Sequence, residues 1–192
     1  MRKIKEGLEW AIFFNPDYQW NRKCFGNHYF RLIDYAYQTS DFFMLVYVSQ
    51  KGRSFRRTMQ KTYDAFLPFL IKQRVDTRWP GTLLEIDPKH TFLVAFYRND
   101  EAAMELLKSV RGLFSWNGIE HPRDLAFFRG NQCWLLSQTT KKIAGLIHAD
   151  DDDVRFVKNE KLARSMEAFF IHPKAFSEFD EFLVDYPTEN RA

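Results

Sequence analysis

Two runs in this chain are apolar at every position: Phe42-Phe43-Met44-Leu45-Val46-Tyr47-Val48 and Phe92-Leu93-Val94-Ala95-Phe96-Tyr97. Successive side chains of a strand point to opposite faces, so a strand with one wet face alternates apolar and polar residues. Runs without a polar position predict central strands covered on both sides, here by helices.

The segments around these runs supply the helices. Between them, Ser54 is placed to cap a helix whose Phe55, Met59, Tyr63, Phe66 and Leu70 recur at spacings of three to four. Arg56, Arg57, Lys61 and Lys72 mark its other face, and Pro68 is expected to kink it or end it early. After the second run, Asp100 can cap a helix striped by Ala103, Leu106, Leu107 and Val110, with Gly112 as its stop. Upstream, Trp10 to Phe14 reads as a first strand ended by Asn15-Pro16-Asp17, and Asn27 to Tyr37 as a helix with Phe30, Ile33 and Tyr37 inward.

The sharpest local signal comes late. Asp124 to Phe128 and Cys133 to Ser137 read as paired strands around a Gly130-Asn131 turn, because both turn residues tolerate positive φ. Thr139 then reads as the start of a short helix. Glu160 to Phe170 looks helical through Leu162, Ala163, Met166, Phe169 and Phe170, until Pro173 breaks it. Phe176, Phe179, Phe182 and Leu183 mark a last helix. These elements predict an α+β (mixed α/β) fold: one domain over 1–192, with a central mixed sheet covered by helices and a late antiparallel hairpin.

Composition narrows the partners. With 20 Phe in 192 residues, the aromatic area exceeds what a surface tolerates, so most rings belong to the core and the remainder to an interface. Residues 1–98 carry 16 Lys and Arg against 9 Asp and Glu, while 99–192 carry 12 against 16. If the halves occupy different faces, each face can steer a partner of opposite sign. Cys24 and Cys133 have no C-x-x-C spacing, and Cys133 lies in an apolar run as a small buried hydrophobe, which fits a reducing compartment. The basic start MRKIKEGLEW is followed by no signal-type apolar run, and no stretch reaches the ~20 apolar residues of a membrane helix. The expectation is a soluble cytoplasmic protein without membrane contact.

Three constellations could carry chemistry. Asp150-Asp151-Asp152-Asp153, preceded by His148, offers carboxylates for a divalent cation. Four adjacent carboxylates cannot all face one ion from a regular element, and calcium-loop spacing is missing. The run therefore reads as a solvated loop between two helices, usable as a docking surface for a basic partner. Thr77-Arg78-Trp79-Pro80-Gly81-Thr82 sets Arg78 beside Trp79 in a rigid loop suited to a partner contact, or to a locally pinned tryptophan. Lys51-Gly52-Arg53-Ser54-Phe55-Arg56-Arg57 is basic, but Phe55 belongs to the helix's inward face, which removes an interleaved stacking platform for nucleic acid. Nucleophile-elbow, phosphate-loop, dinucleotide and zinc-protease motifs are missing, and His28, His90, His121, His148 and His172 are scattered.

The order Asp76-Thr77-Arg78-Trp79-Pro80-Gly81-Thr82, Leu113-Phe114-Ser115-Trp116, Pro122-Arg123-Asp124-Leu125-Ala126-Phe127-Phe128-Arg129 and Cys133-Trp134-Leu135 spans the middle third of the chain. It resembles a group of uncharacterised small bacterial proteins, some carrying a loose stage III sporulation protein AH-like label. Those proteins have a His-Glu pair soon after the tryptophan strand, where Thr139-Thr140 stands here. The resemblance implies no reaction. It implies an immunity or accessory protein with one specific partner, by analogy with other such families.

The reading that joins these features is a non-enzymatic protein-binding module of the immunity or inhibitor type. Arg78, Trp79, Asp150, Asp151, Asp152 and Asp153 would meet one protein partner, a basic toxin or nuclease, with no cofactor and no metal. The alternatives are a nucleic-acid-associated protein using Arg53, Arg56 and Arg57, and a small metal-dependent hydrolase built on His148 and Asp150 to Asp153.

Overall fold

The computed structural model describes residues 9–14, 25–48, 57–80, 91–118, 120–140, 142–162 and 168–171. In chain order these form β1 (Glu9–Phe14), α1 (Asn27–Thr39), β2 (Phe42–Tyr47), α2 (Arg57–Phe66), β3 (Leu70–Asp76), β4 (Phe92–Arg98), α3 (Glu101–Lys108), β5 (Arg123–Arg129), β6 (Gln132–Gln138), β7 (Ile143–Ala149), α4 (Asp151–Asn159) and β8 (Ala168–Ile171). The strands make one eight-stranded sheet in the order β3-β4-β2-β5-β6-β7-β1-β8. This is an α+β fold with a late hairpin, as the sequence predicts. Each neighbouring pair is antiparallel, so the mixed sheet expected from the sequence contains no parallel pairing among the described strands.

The two apolar runs are interior strands, β2 between β4 and β5, and β4 between β3 and β2. Phe43, Leu45 and Tyr47 of β2 join Ala95 and Tyr97 of β4 and Leu125 and Phe127 of β5 in one buried cluster. Phe42, Met44 and Val46 join Val94, Phe96, Ala126 and Phe128 in another. Period-two geometry thus sorts an all-apolar run into two cores. The helix residues Tyr29, Leu32, Ile33, Met59, Phe66, Met104, Leu107 and Val157 all belong to the first cluster. The second contains Trp79 and no residue of a described helix. Both faces are buried, but helical cover on both is not what the described residues show.

Asp100 caps α3 as expected, accepting a hydrogen bond from the Ala102 N–H at 2.9 Å. Pro68 ends α2 in a short 3-10 turn, after which Leu70 opens β3 and leaves the helical stripe to which its spacing assigned it. The hairpin turns at Gly130, whose φ of 53° lies in the left-handed region that glycine enters without a Cβ penalty.

Three expectations are corrected after that hairpin. Thr139 and Thr140 form a turn into the strand β7, where a short helix was expected. The Asp150–Asp153 run is not a loop but the start of α4. The chain leaves that helix at Asn159 and turns through Glu160–Leu162, and Ala168–Ile171 is strand, against the helix that the spacing predicts over Glu160 to Phe170. Cys24, Ser54, Phe55, the Asn15-Pro16-Asp17 breaker and the Phe176–Leu183 helix lie outside the described residues.

Bulges aim the side chains that matter next. Opposite β5, Phe127 pairs with Leu135 and Phe128 with Cys133, so Trp134 is an extra residue in β6. Trp134 and Leu135 consequently both enter the helix-side cluster. A second bulge lies in β5 opposite β2, where Met44 pairs with Ala126 and Val46 with Arg123. Asp124 takes up the extra length at φ 54°, a left-handed conformation that aspartate tolerates better than most residues. His148, also at φ 54°, lies in the corresponding bulge of β7 opposite β1.

Candidate functional site

The four consecutive aspartates of the sequence do different work. Asp150 is the N-cap of α4: its Oδ1 accepts from the Asp152 and Asp153 N–H groups, each at 2.9 Å. Asp153 answers by accepting the Asp150 N–H at 3.0 Å, which completes a capping box. Asp151 and Asp152 face solvent in the first turn, where the helix dipole favours negative charge. Asp152 pairs with Arg155 along the helix.

Asp153 turns inward, with its side chain at 0% exposure. Its Oδ1 accepts from Arg129 Nη2 at 2.8 Å and from the Tyr35 hydroxyl at 2.9 Å. Its Oδ2 accepts from Arg129 Nη1 at 2.8 Å and from Trp134 Nε1 at 3.0 Å. Arg129, at the end of β5, also donates Nε to the Thr39 carbonyl at the end of α1. Its guanidinium lies 4.3 Å from the Trp134 ring centre. One fork of donors therefore ties the hairpin, α1 and α4 together. The bulge at Trp134 is what brings the indole N–H within reach.

Burial raises the Asp153 pKa, but Arg129, the Asp150 N–H and Trp134 outweigh it and hold the carboxyl below its ordinary 3.8. Burial, and then the neighbouring Asp153, push the Tyr35 hydroxyl well above its ordinary value, so it remains a donor. A depressed folded-state pKa means that Asp153 contributes its full stability above the ordinary carboxylate value and loses it as pH falls below. The urea-measured stability difference between the wild type and Asp153→Asn is expected to shrink as the buffer goes from neutral to below that range. A constant difference would show that the charged form is not what Asp153 contributes.

Above this tie lies an open depression of about 730 Å³, lined by Tyr35 and Thr39 of α1, by Arg129, and by Asp152, Phe156 and Asn159 of α4, among others. Tyr35 and Phe156 stack on each other at its floor, with ring centres 4.0 Å apart and planes 6° apart. Asp150, Asp152 and Arg155 thus flank an aromatic floor braced from beneath by a buried ion pair. Its hydrogen-bonded groups hold fixed positions.

Trp79 is fully buried, with its indole N–H donating to Asp124 Oδ2 at 2.9 Å. It anchors its own loop and offers no surface to a partner, which corrects its expected role. Arg78 beside it is exposed. Asp124, itself at 0% exposure, also accepts from Arg123 Nε at 2.8 Å and from the Thr139 N–H at 2.8 Å. Burial raises the Asp124 pKa, and Arg123 offsets part of that rise. The Arg123 guanidinium lies 5.5 Å from the ring centres of both Trp79 and Phe92. This second constellation pins the Thr77–Pro80 segment onto the sheet face opposite the helices.

The site residues expected from sequence therefore separate. Asp150, Asp151 and Asp152 are exposed, Asp150 and Asp152 lining the depression, Asp153 is buried beneath them, and Trp79 belongs to the other sheet face. For the nucleic-acid alternative, Arg57 is exposed at the start of α2, while Arg53 and Arg56 lie outside the described residues. His28 approaches Glu160 at 3.7 Å and His121 lies edge-on to Trp116, while His90 and His172 lie outside the described residues. Among the described residues, no group of three or more His, Cys, Asp and Glu side chains is placed to hold a metal ion. Cys133 is a buried free thiol whose burial pushes its pKa up. No described helix is long and apolar enough to cross a membrane. Sequence reasoning missed Tyr35, Arg129, Trp134 and Phe156. The one available signal was the Asp150/Asp153 spacing, which is that of a capping box. No family model, curated protein or solved structure matches the chain.

Proposed function

We propose that this protein is a non-enzymatic binding module of the immunity or inhibitor type, and that it holds one basic protein partner against the start of α4. The observation that carries this reading is the exposed Asp150-Asp151-Asp152 edge beside the Tyr35–Phe156 depression, on a frame braced by Arg129 and Asp153. Rigid aromatic groups supply contact area at little entropic cost, and carboxylates at the rim steer a cationic surface into register. A basic toxin or nuclease is the class of partner whose charge fits.

The test is affinity capture from the source cells, with wild-type protein and an Asp151→Lys/Asp152→Lys variant as parallel baits. Both positions are exposed, so the variant is expected to fold. The expected result is a stoichiometric basic protein on the wild-type bait, weakened by salt and lost from the variant. Equal recovery on both baits, or no stoichiometric partner at any salt concentration, would refute the reading.

A further inference from the structure

We propose that the Asn117–Gly118 turn is a site of spontaneous deamidation. Of the eight asparagines in the chain, Asn117 alone is followed by glycine. The pair connects the buried Trp116 to the segment that leads into β5, and the Asn117 side chain is exposed. Gly118 has φ 73°, and a Cβ there would meet the Val48 side chain at 3.2 Å and Arg123 at 3.4 Å. Both the backbone conformation and the close approach of Val48 and Arg123 call for glycine, so residue 118 itself puts no β-carbon beside its attacking nitrogen. The Asn117 Oδ1 accepts a hydrogen bond from the Glu120 N–H at 3.3 Å. That donor polarises the side-chain carbonyl and stabilises the oxyanion that forms when its carbon is attacked.

The step balances with water as the only co-reactant. The Gly118 amide nitrogen, having given its proton to hydroxide, attacks Cγ of Asn117. A new N–Cγ bond forms, the bond from Cγ to the side-chain nitrogen breaks, and ammonia leaves. Water then opens the resulting succinimide at either carbonyl, giving aspartate or isoaspartate. The product carries a new carboxylate close to Arg123 and lowers the formal net charge of +3 by one unit. Other asparagines are held differently: the Asn99 amide, for example, donates to the carbonyls of Tyr37 and Ser40.

The experiment is incubation of the intact native protein at mildly alkaline pH, followed by peptide mapping with mass spectrometry and ion exchange. The expected result is loss of the Asn117 form, and its replacement by aspartyl and isoaspartyl peptides faster than at any other described asparagine. The loss should accelerate as pH rises, and Asn117→Gln should abolish it. Faster conversion at another described asparagine would overturn the proposal. So would conversion at Asn117 in urea but not in native buffer, because the turn geometry would then be protective.

Discussion

Replacing Asp153 with Ala is expected to cost about 3–5 kcal/mol of folding stability, the range for removing one partner of a buried ion pair. The carboxylate accepts five hydrogen bonds, from two nitrogens of Arg129, the Tyr35 hydroxyl, Trp134 Nε1 and the Asp150 N–H. Its loss leaves a largely buried guanidinium with only the exposed Asp150 carboxylate, at 3.4 Å, as counter-charge, and breaks the capping box of α4. Against the typical ~5–15 kcal/mol of a domain, that is a large share. Urea unfolding monitored by circular dichroism measures the cost directly. A double variant, Asp153→Leu with Arg129→Met, should lose less than the two single changes summed, because no charge is stranded. A cost below about 1 kcal/mol for Asp153→Ala, the scale of an exposed pair, would mean that the tie beneath α4 contributes little.

A cost of about 3–5 kcal/mol is likewise expected for Asp124→Ala, which removes the buried carboxylate that Arg123, the Trp79 indole N–H and the Thr139 N–H share on the other side of the sheet. Asp124→Asn separates charge from backbone: asparagine also tolerates the left-handed φ of 54°, so its cost reports the lost carboxylate and not the bulge. The readout beyond stability is local. Limited proteolysis should cut near Thr77–Pro80 in the Asp124→Ala protein and spare the wild type, because Trp79 is what seats that segment in the second cluster. Unchanged cleavage would place the anchor of this segment elsewhere.

The parts of the fold legible in the sequence are those where one physical signal acts alone. All-apolar runs announce β2 and β4, a Gly-Asn turn announces the β5–β6 hairpin, and a capping aspartate with an apolar stripe announces α3. The misread parts are those where signals compete. Ile143–Ala149 is too short for periodicity to distinguish strand from helix, and it lacks strict alternation. β3 carries Lys72, Gln73 and Arg74 because it is at the edge of the sheet among the described strands and needs no second apolar face. Charge density alone makes Asp150–Asp153 a solvated loop, whereas its spacing makes positions 150 and 153 the N-cap and N3 of a helix. The site was legible only in its exposed half. Arg129, Trp134 and Tyr35 carry no local signature, because a bulge and three separate elements bring them to Asp153.

Hydrogen exchange of the protein with and without its captured partner tests the central claim most directly. Binding at the start of α4 predicts new protection confined to the amides of Tyr35–Thr39 and Asp150–Asn159, with β3 and the exposed face of α2 unchanged. Protection confined to β3 and α2, with α4 exchanging as in the free protein, would contradict it.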